Sequence, residues 1–233
     1  MKTTKRLLAF SSLVAGISFL TQFGFAQMST PPASPAEMEA IYTTSIEGRA
    51  DDILNALALT NSAVAGKVHD IIIAQYRVMR SRDDLINAKL DARGKDINYQ
   101  NRKAELEEQS RLLHENFLAK LAKLLTPEQI EKVKDKMTYN KVKITYDAYC
   151  NIIPGLTVAD KTRIMDLLHA AREQAIDGGS ATEQSEIFQV YKNQINDYLN
   201  AHGHDVAKAY KDWEAKQAMA QNQATSPATN SVR

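Results

Sequence analysis

Apolar residues recur at helical spacing along most of this chain, and that pattern restricts it to an all-α fold. Met38, Ile41, Tyr42, Ile46, Ile53 and Leu57 form one stripe. Val64, Val68, Ile71, Ile72, Val78, Met79, Leu85, Ile86 and Leu90 form the next, within which Ile71, Val78 and Leu85 recur every seven residues, as do Ile72, Met79 and Ile86. Apolar positions three and four apart line one face of a helix, whereas a half-buried strand would alternate at every second residue. The spacing predicts a helix over about 61–92, about 48 Å long at 1.5 Å per residue. A second stripe through Leu106, Leu113, Phe117, Leu121 and Leu124 follows the break at Gly94. A short turn between two such helices would make residues 61–92 and 98–124 an antiparallel hairpin within a multi-helix bundle.

Proline placement agrees. Four of the six prolines lie near the ends, leaving only Pro127 and Pro154 in between. Thr126-Pro127-Glu128-Gln129 reads as a complete helix start, with a cap, a proline at the first helical position and an acid in the first turn. Ile144 to Ile153 is an apolar and aromatic stretch without a clear period, expected to be irregular and ended by Pro154-Gly155. Further stripes run through Ile164, Leu167, Leu168, Ala171 and Ala175, then Ile187 to Leu199, then Val206 to Gln217. A faint repeat links three predicted helix starts. Asn61, Thr126 and Thr157 are each followed six residues later by a basic–apolar pair and nine residues later by an acid, Asp70, Asp135 or Asp166. Capped amphipathic helices in general also produce this pattern.

Residues 1–26 carry the basic start Lys2, Lys5 and Arg6, a 14-residue uncharged run from Leu7 to Leu20, and small residues at Gly24 and Ala26. That order is the mark of a secretory signal peptide, and the run is shorter than the ~20 residues a spanning helix needs. The expectation is cleavage after Ala26, a periplasmic or extracellular location and no stable membrane anchor. Cleavage would take the net charge from +1 to −2. Gln27 to Ala36 is then a Pro-rich linker, 37–216 a single all-α domain, and 217–233 a disordered tail poor in charge.

Composition narrows function mainly by exclusion. With 29 basic against 28 acidic residues there is no electrostatic case for nucleic acid. One Cys excludes a disulfide framework and a cysteine-built zinc site; Cys150, beside Ile152 and Ile153, is expected to be a buried thiol. His202-Gly203-His204-Asp205 is explained by Gly203 ending one helix and Asp205 capping the next. No metal and no cofactor are assigned. Paired acids on helical surfaces do not single out a glycosidase pair, so catalytic residues stay unassigned.

Two groups of side chains stand out. Arg49, Gln75 and Arg82 interrupt apolar stripes. They either lay their methylenes on the core with their polar ends in water or form an interior polar site, where a buried guanidinium would need an acceptor. Lys136, Tyr139, Lys141, Lys143, Tyr146 and Tyr149 interleave basic and aromatic residues. Tyrosine rings can cover the apolar face of a sugar while lysines pair with a uronate carboxylate. The expected partner there is an oligosaccharide or acidic sugar, although tyrosines also fill cores and lysines also simply solvate a loop.

Five stretches, in order, resemble a known family: Glu47-Gly48-Arg49-Ala50-Asp51; Ile73-Ala74-Gln75-Tyr76-Arg77; Leu125 to Gln129 running on to Lys136-Met137-Thr138-Tyr139; Ile153-Pro154-Gly155-Leu156-Thr157; and Tyr191-Lys192 with Ile195 to Leu199. Together with Trp213 they resemble the secreted bacterial family of unknown function numbered 3826, over about residues 37–216. The resemblance implies an accessory role in polysaccharide utilisation and carries over no catalytic residue. Gln194 stands where a basic residue is expected, which weakens a charge-based role there. Leu125-Thr126-Pro127-Glu128-Gln129 also resembles the Leu-Thr-x-x-Gln motif of periplasmic helical chaperones. Three functions are therefore compatible with the sequence: sugar binding, chaperoning, and an uncharacterised carbohydrate-active enzyme.

Overall fold

A computed structural model describes residues 34–91, 99–178 and 180–225. The side chains of 86–91, 99–107 and 222–225 are not described. The segment read as a signal peptide, most of the Pro-rich linker and the turn around Gly94 therefore lie outside the described residues. Within them the chain forms eight α-helices and no strand: α1 (Pro35–Leu57), α2 (Ser62–Asp91), α3 (Tyr99–Leu121), α4 (Pro127–Met137), α5 (Lys141–Ile152), α6 (Val158–Ala175), α7 (Ala181–Ala201) and α8 (Val206–Thr225). No helix among the described residues is long and apolar enough to cross a membrane.

Side chains close orphan amides at the starts of α1, α2, α4 and α6. The Thr126 hydroxyl accepts from Gln129 N (3.3 Å) while the Gln129 carbonyl oxygen accepts from Thr126 N (2.9 Å), a reciprocal cap with Pro127 at the first position. Thr157 and Asp160 repeat the arrangement on α6, at 3.2 and 2.9 Å. Asn61 Oδ1 accepts from the amides of Ala63 and Val64 at the start of α2. The faint repeat thus marks three real caps. Val68, Val133 and Ile164, seven residues after each, are all fully buried. Ser34 caps α1 in the same way, so the Pro-rich segment ends as a helix start with Pro35 inside the helix.

Two apolar clusters form the core. The first gathers Ile46, Ala50, Ile53 and Leu57 of α1, Val68, Ile72, Tyr76 and Met79 of α2, Phe117 and Leu121 of α3, and Val133 and Met137 of α4. The second gathers Val142, Tyr149 and Ile152 of α5 with Ile164, Leu168 and Ala171 of α6, Phe188, Ile195 and Leu199 of α7, and Val206 of α8. Arg172 of α6 ties the halves together, donating to Asp135 and Glu131 of α4 and to its neighbour Glu173. Lys134 of α4 reaches Glu173 at 2.9 Å. The hairpin expected of 61–92 and 98–124 remains an expectation, because the joining residues are not described. What the structure does give is burial of α2 and α3 side chains in one cluster.

Several expectations are corrected. Ile144 to Ile153 is regular helix to Ile152: burial of Val142, Tyr149 and Ile152 on one side outweighs the weak intrinsic propensity of its β-branched and aromatic residues. Met38 and Ile41 are exposed, because α1 meets Arg77 and Arg80 of α2 near its start, not apolar side chains. Leu85 is exposed too, so the seven-residue row through Ile71 and Val78 leaves the core as it nears the end of α2. Cys150 is half-buried, not enclosed. Helix α8 continues through Gln217 to Thr225, where disorder was expected.

Candidate functional site

The α4–α5 junction is the most unusual backbone among the described residues. Tyr139 (φ 56°) and Asn140 (φ 54°) lie in succession in the left-handed region, which costs a non-glycine residue about 1–2 kcal/mol. The turn is held by Tyr139 N donating to Lys136 O (3.0 Å), by Asn140 N donating to Asp135 O (2.7 Å), and by the buried Thr138 hydroxyl donating to Lys134 O (2.9 Å). Strain of this kind persists only where the surroundings impose it. Its effect here is to hold the Tyr139 ring 41% exposed over the side chain of Arg49.

Arg49 projects from α1, one residue before the buried Ala50. Its guanidinium carbon lies 5.6 Å from the centre of the Tyr76 ring and 5.7 Å from that of Tyr139. Both distances fall inside the ~6 Å range of a cation–π contact. Lys141 Nζ lies 5.9 Å from the Tyr139 ring, and Arg80 lies 4.2 Å from that of Tyr42. The Tyr42 hydroxyl donates to Tyr76 O at 2.7 Å and joins the two groups. All the cation–π contacts among the described residues therefore fall on this one face, built by α1, α2 and the α4–α5 turn. Burial pushes the Tyr76 phenol up to about 12, with Arg49 pulling the other way, so the ring stays neutral beneath the cation. Burial also raises Tyr42, against the pull of Arg80 and Arg77.

The charges around this face differ in one respect. Glu39 bridges Arg77 (2.9 Å) and Arg80 (3.0 Å), and Lys136 pairs with Asp52 (2.9 Å). Arg49 is exposed and has no ion pair among the described residues. A guanidinium that lies over aromatic rings keeps its in-plane donors open for an oxyanion.

The sequence-level candidates separate accordingly. Arg49, Lys136 and Tyr139 come together on this face. Lys143 instead stands exposed and pairs with Asp147 one turn on (2.6 Å). Tyr146 packs on the second core cluster, its phenol raised first by a hydrogen bond with Cys150 and then by burial. Tyr149 is corrected outright. It is 1% exposed, its hydroxyl donates to Asn196 Oδ1 (2.7 Å), and it has no ring face to offer a ligand. The interior polar trio does not converge either. Arg49 is exposed and Gln75 is buried in α2. Arg82 donates to Asp83 (2.5 Å), next to it in the chain, and to Ser110 of α3 (3.4 Å). Tyr42, Tyr76, Arg77, Arg80 and Glu39 are not among the site candidates the sequence offers, since Tyr42 and Tyr76 meet across 34 residues and no local pattern announces it.

A second polar site lies where the α7–α8 turn meets the start of α6. His204 Nε2 lies 3.1 Å from Asp160 Oδ2, beside an open cleft of ≈ 230 Å³ that Ile153, Pro154, Lys208 and Asp212 help to line. Thr157, through its hydroxyl and then its amide, holds the Asp160 carboxyl down to about 2, with His204 adding to the effect. That carboxylate is committed to capping α6, and the pair acts as a clip between turn and helix. His202, the other histidine of the turn, donates from Nδ1 to Tyr198 O of its own helix (2.8 Å). No group of three metal-type ligands occurs among the described residues.

The chain matches no curated protein. The family described as a protein of unknown function, DUF3826, matches residues 43–219, which takes in Arg49, Tyr76, Lys136 and Tyr139, and the chain belongs to that family.

Proposed function

We propose that this protein is a secreted or periplasmic accessory protein that binds an acidic oligosaccharide on the Arg49–Tyr76–Tyr139 face. The observation that carries the reading is the exposed Arg49 guanidinium, held against two tyrosine rings and lacking an acid partner among the described residues. A uronate offers what that arrangement lacks, a carboxylate for the guanidinium and an apolar ring face for the half-exposed Tyr139. Left-handed backbone at Tyr139 supports the reading further, since it leaves the ring 41% exposed beside Arg49. The location rests on residues 1–26, whose basic, apolar and small-residue regions direct export.

Chaperoning would require an open apolar face on α2 and α3. Val68, Ile72, Met79, Phe117 and Leu121 are instead buried against one another, which favours binding over holding unfolded chains. The test is a glycan array probed with the mature chain and with its Arg49→Gln variant. Binding confined to acidic glycans and lost in Arg49→Gln is the expected result. Absence of binding, or binding that Arg49→Gln leaves unchanged, refutes the proposal.

A further inference from the structure

The face carries two electrostatically unlike halves. At one, the Arg49 guanidinium lies against two rings and has no ion pair among the described residues. At the other, an open cleft of ≈ 230 Å³ is lined by Glu39, Tyr42, Arg77, Arg80, Ser81 and Asp84. Its two arginines and two acids cancel in formal charge. Glu39 is already shared between Arg77 and Arg80, and Arg77 donates a further bond to Thr43 Oγ1 at 3.2 Å. A carboxylate entering this cleft would meet Glu39 and Asp84 as well as the two arginines, so repulsion from the acids offsets the pull of the guanidiniums and the cleft gives it no net attraction. A hydroxyl both donates and accepts, so it can satisfy an acid and a guanidinium together.

Tyr42 and Arg49 set the separation of the halves. They stand seven residues apart on α1, two turns or about 10 Å, with Tyr42 bonded to the backbone of Tyr76 between them. That span exceeds one pyranose ring and suits two linked ones. We infer that the site takes an oligosaccharide in which an acidic sugar is followed by an uncharged one, the acid at Arg49 and the neutral unit in the Tyr42 cleft. The inference rests on the acidic-oligosaccharide reading and adds to it the order of charges along the ligand.

Calorimetry with the mature chain tests it using three tetrasaccharides of equal length. One alternates glucuronate with N-acetylglucosamine, one is all galacturonate, and one is cellotetraose. The alternating ligand should bind about tenfold more tightly than either other, a difference of about 1.4 kcal/mol. Asp84→Asn, an exposed change that leaves the Glu39 pairs in place, should raise affinity for the all-acidic ligand and narrow the gap. If the all-acidic ligand matches or exceeds the alternating one, or Asp84→Asn leaves the gap unchanged, the two-part site is wrong while acidic-sugar binding stands. Cellotetraose binding as tightly as the alternating ligand, or no binding by any of the three, overturns both.

Discussion

Replacing Arg172 by Met should cost about 2 kcal/mol of stability, a figure that follows from what surrounds the guanidinium. The side chain is 4% exposed and donates to Asp135 at 2.6 Å, to Glu173 at 3.0 Å and to Glu131. Hydrogen bonds to charged groups are each worth about 1.5–3 kcal/mol, so a simple sum over three would be about 4.5–9 kcal/mol. Two effects reduce it. The three carboxylates are 39–48% exposed and recover water when the arginine leaves. Lys134 stays in place to pair with Glu131 (3.0 Å) and Glu173 (2.9 Å). Methionine also avoids the desolvation that a buried guanidinium suffers, while keeping most of the packing volume. Urea unfolding followed by far-UV circular dichroism gives the difference directly, with the slope expected to hold constant and the midpoint to fall. The gap should narrow in 1 M salt, where the screening length is about 3 Å. An Arg172→Met protein within about 0.5 kcal/mol of the parent would refute the idea that this network ties the two cores together.

Tyr139→Gly should leave stability unchanged or raised by up to about 1 kcal/mol, because release of the left-handed strain offsets the greater freedom of glycine in the unfolded chain; a loss the size of a core deletion on thermal melting would show the strain to be absent. Gly178→Ala should cost about 1–3 kcal/mol, since its new methyl would lie 3.0 Å from Gln184 Cγ and 3.1 Å from Ala175 O; an unchanged melting temperature would contradict that close approach. His114 is raised above 6.5, first by its bond with Asp177, whose carboxylate lies 3.0 Å away, with Glu173 adding and Lys134 opposing. A folded-state value above the unfolded one gives stability that is complete below pH 6.5 and fades as pH rises through the folded value. Urea titrations across that range should show the decline in the parent and a flatter profile in His114→Gln; equal slopes would remove the linkage.

What could be read from the sequence was local. The caps at Asn61, Thr126 and Thr157 were legible because donor and acceptor lie within three residues of each other, and they located Val68, Val133 and Ile164 in the core. Periodicity shows which residues share a helix face but not which neighbour covers it. Leu85 and Ile41 therefore looked like core and stand in solvent, while Tyr149 looked like a ligand contact and is core. Arg49 stands out in the sequence because it interrupts a stripe, yet its surroundings come from Tyr76 on α2 and Tyr139 beyond α4. The basic and aromatic run 136–149 mixed two populations. Lys136, in the last turn of α4, and Tyr139, in the turn after it, face α1, whereas Lys143, Tyr146 and Tyr149 belong to a helix that packs elsewhere. A left-handed Tyr-Asn pair leaves no dependable trace in sequence, since Asn tolerates the conformation but Tyr does not announce it.

A double-mutant cycle on Arg49 and Tyr139 tests the central claim most directly. Calorimetry with a glucuronate-containing tetrasaccharide would compare the parent with Arg49→Gln, Tyr139→Ala and the double variant. Each single change should weaken binding at least about tenfold, and the double variant should lose less than the sum, with a coupling of about 0.5–3 kcal/mol. That outcome would mean the guanidinium and the ring hold the same sugar. Strictly additive losses, or affinity that neither change alters, would contradict a shared site at Arg49 and Tyr139.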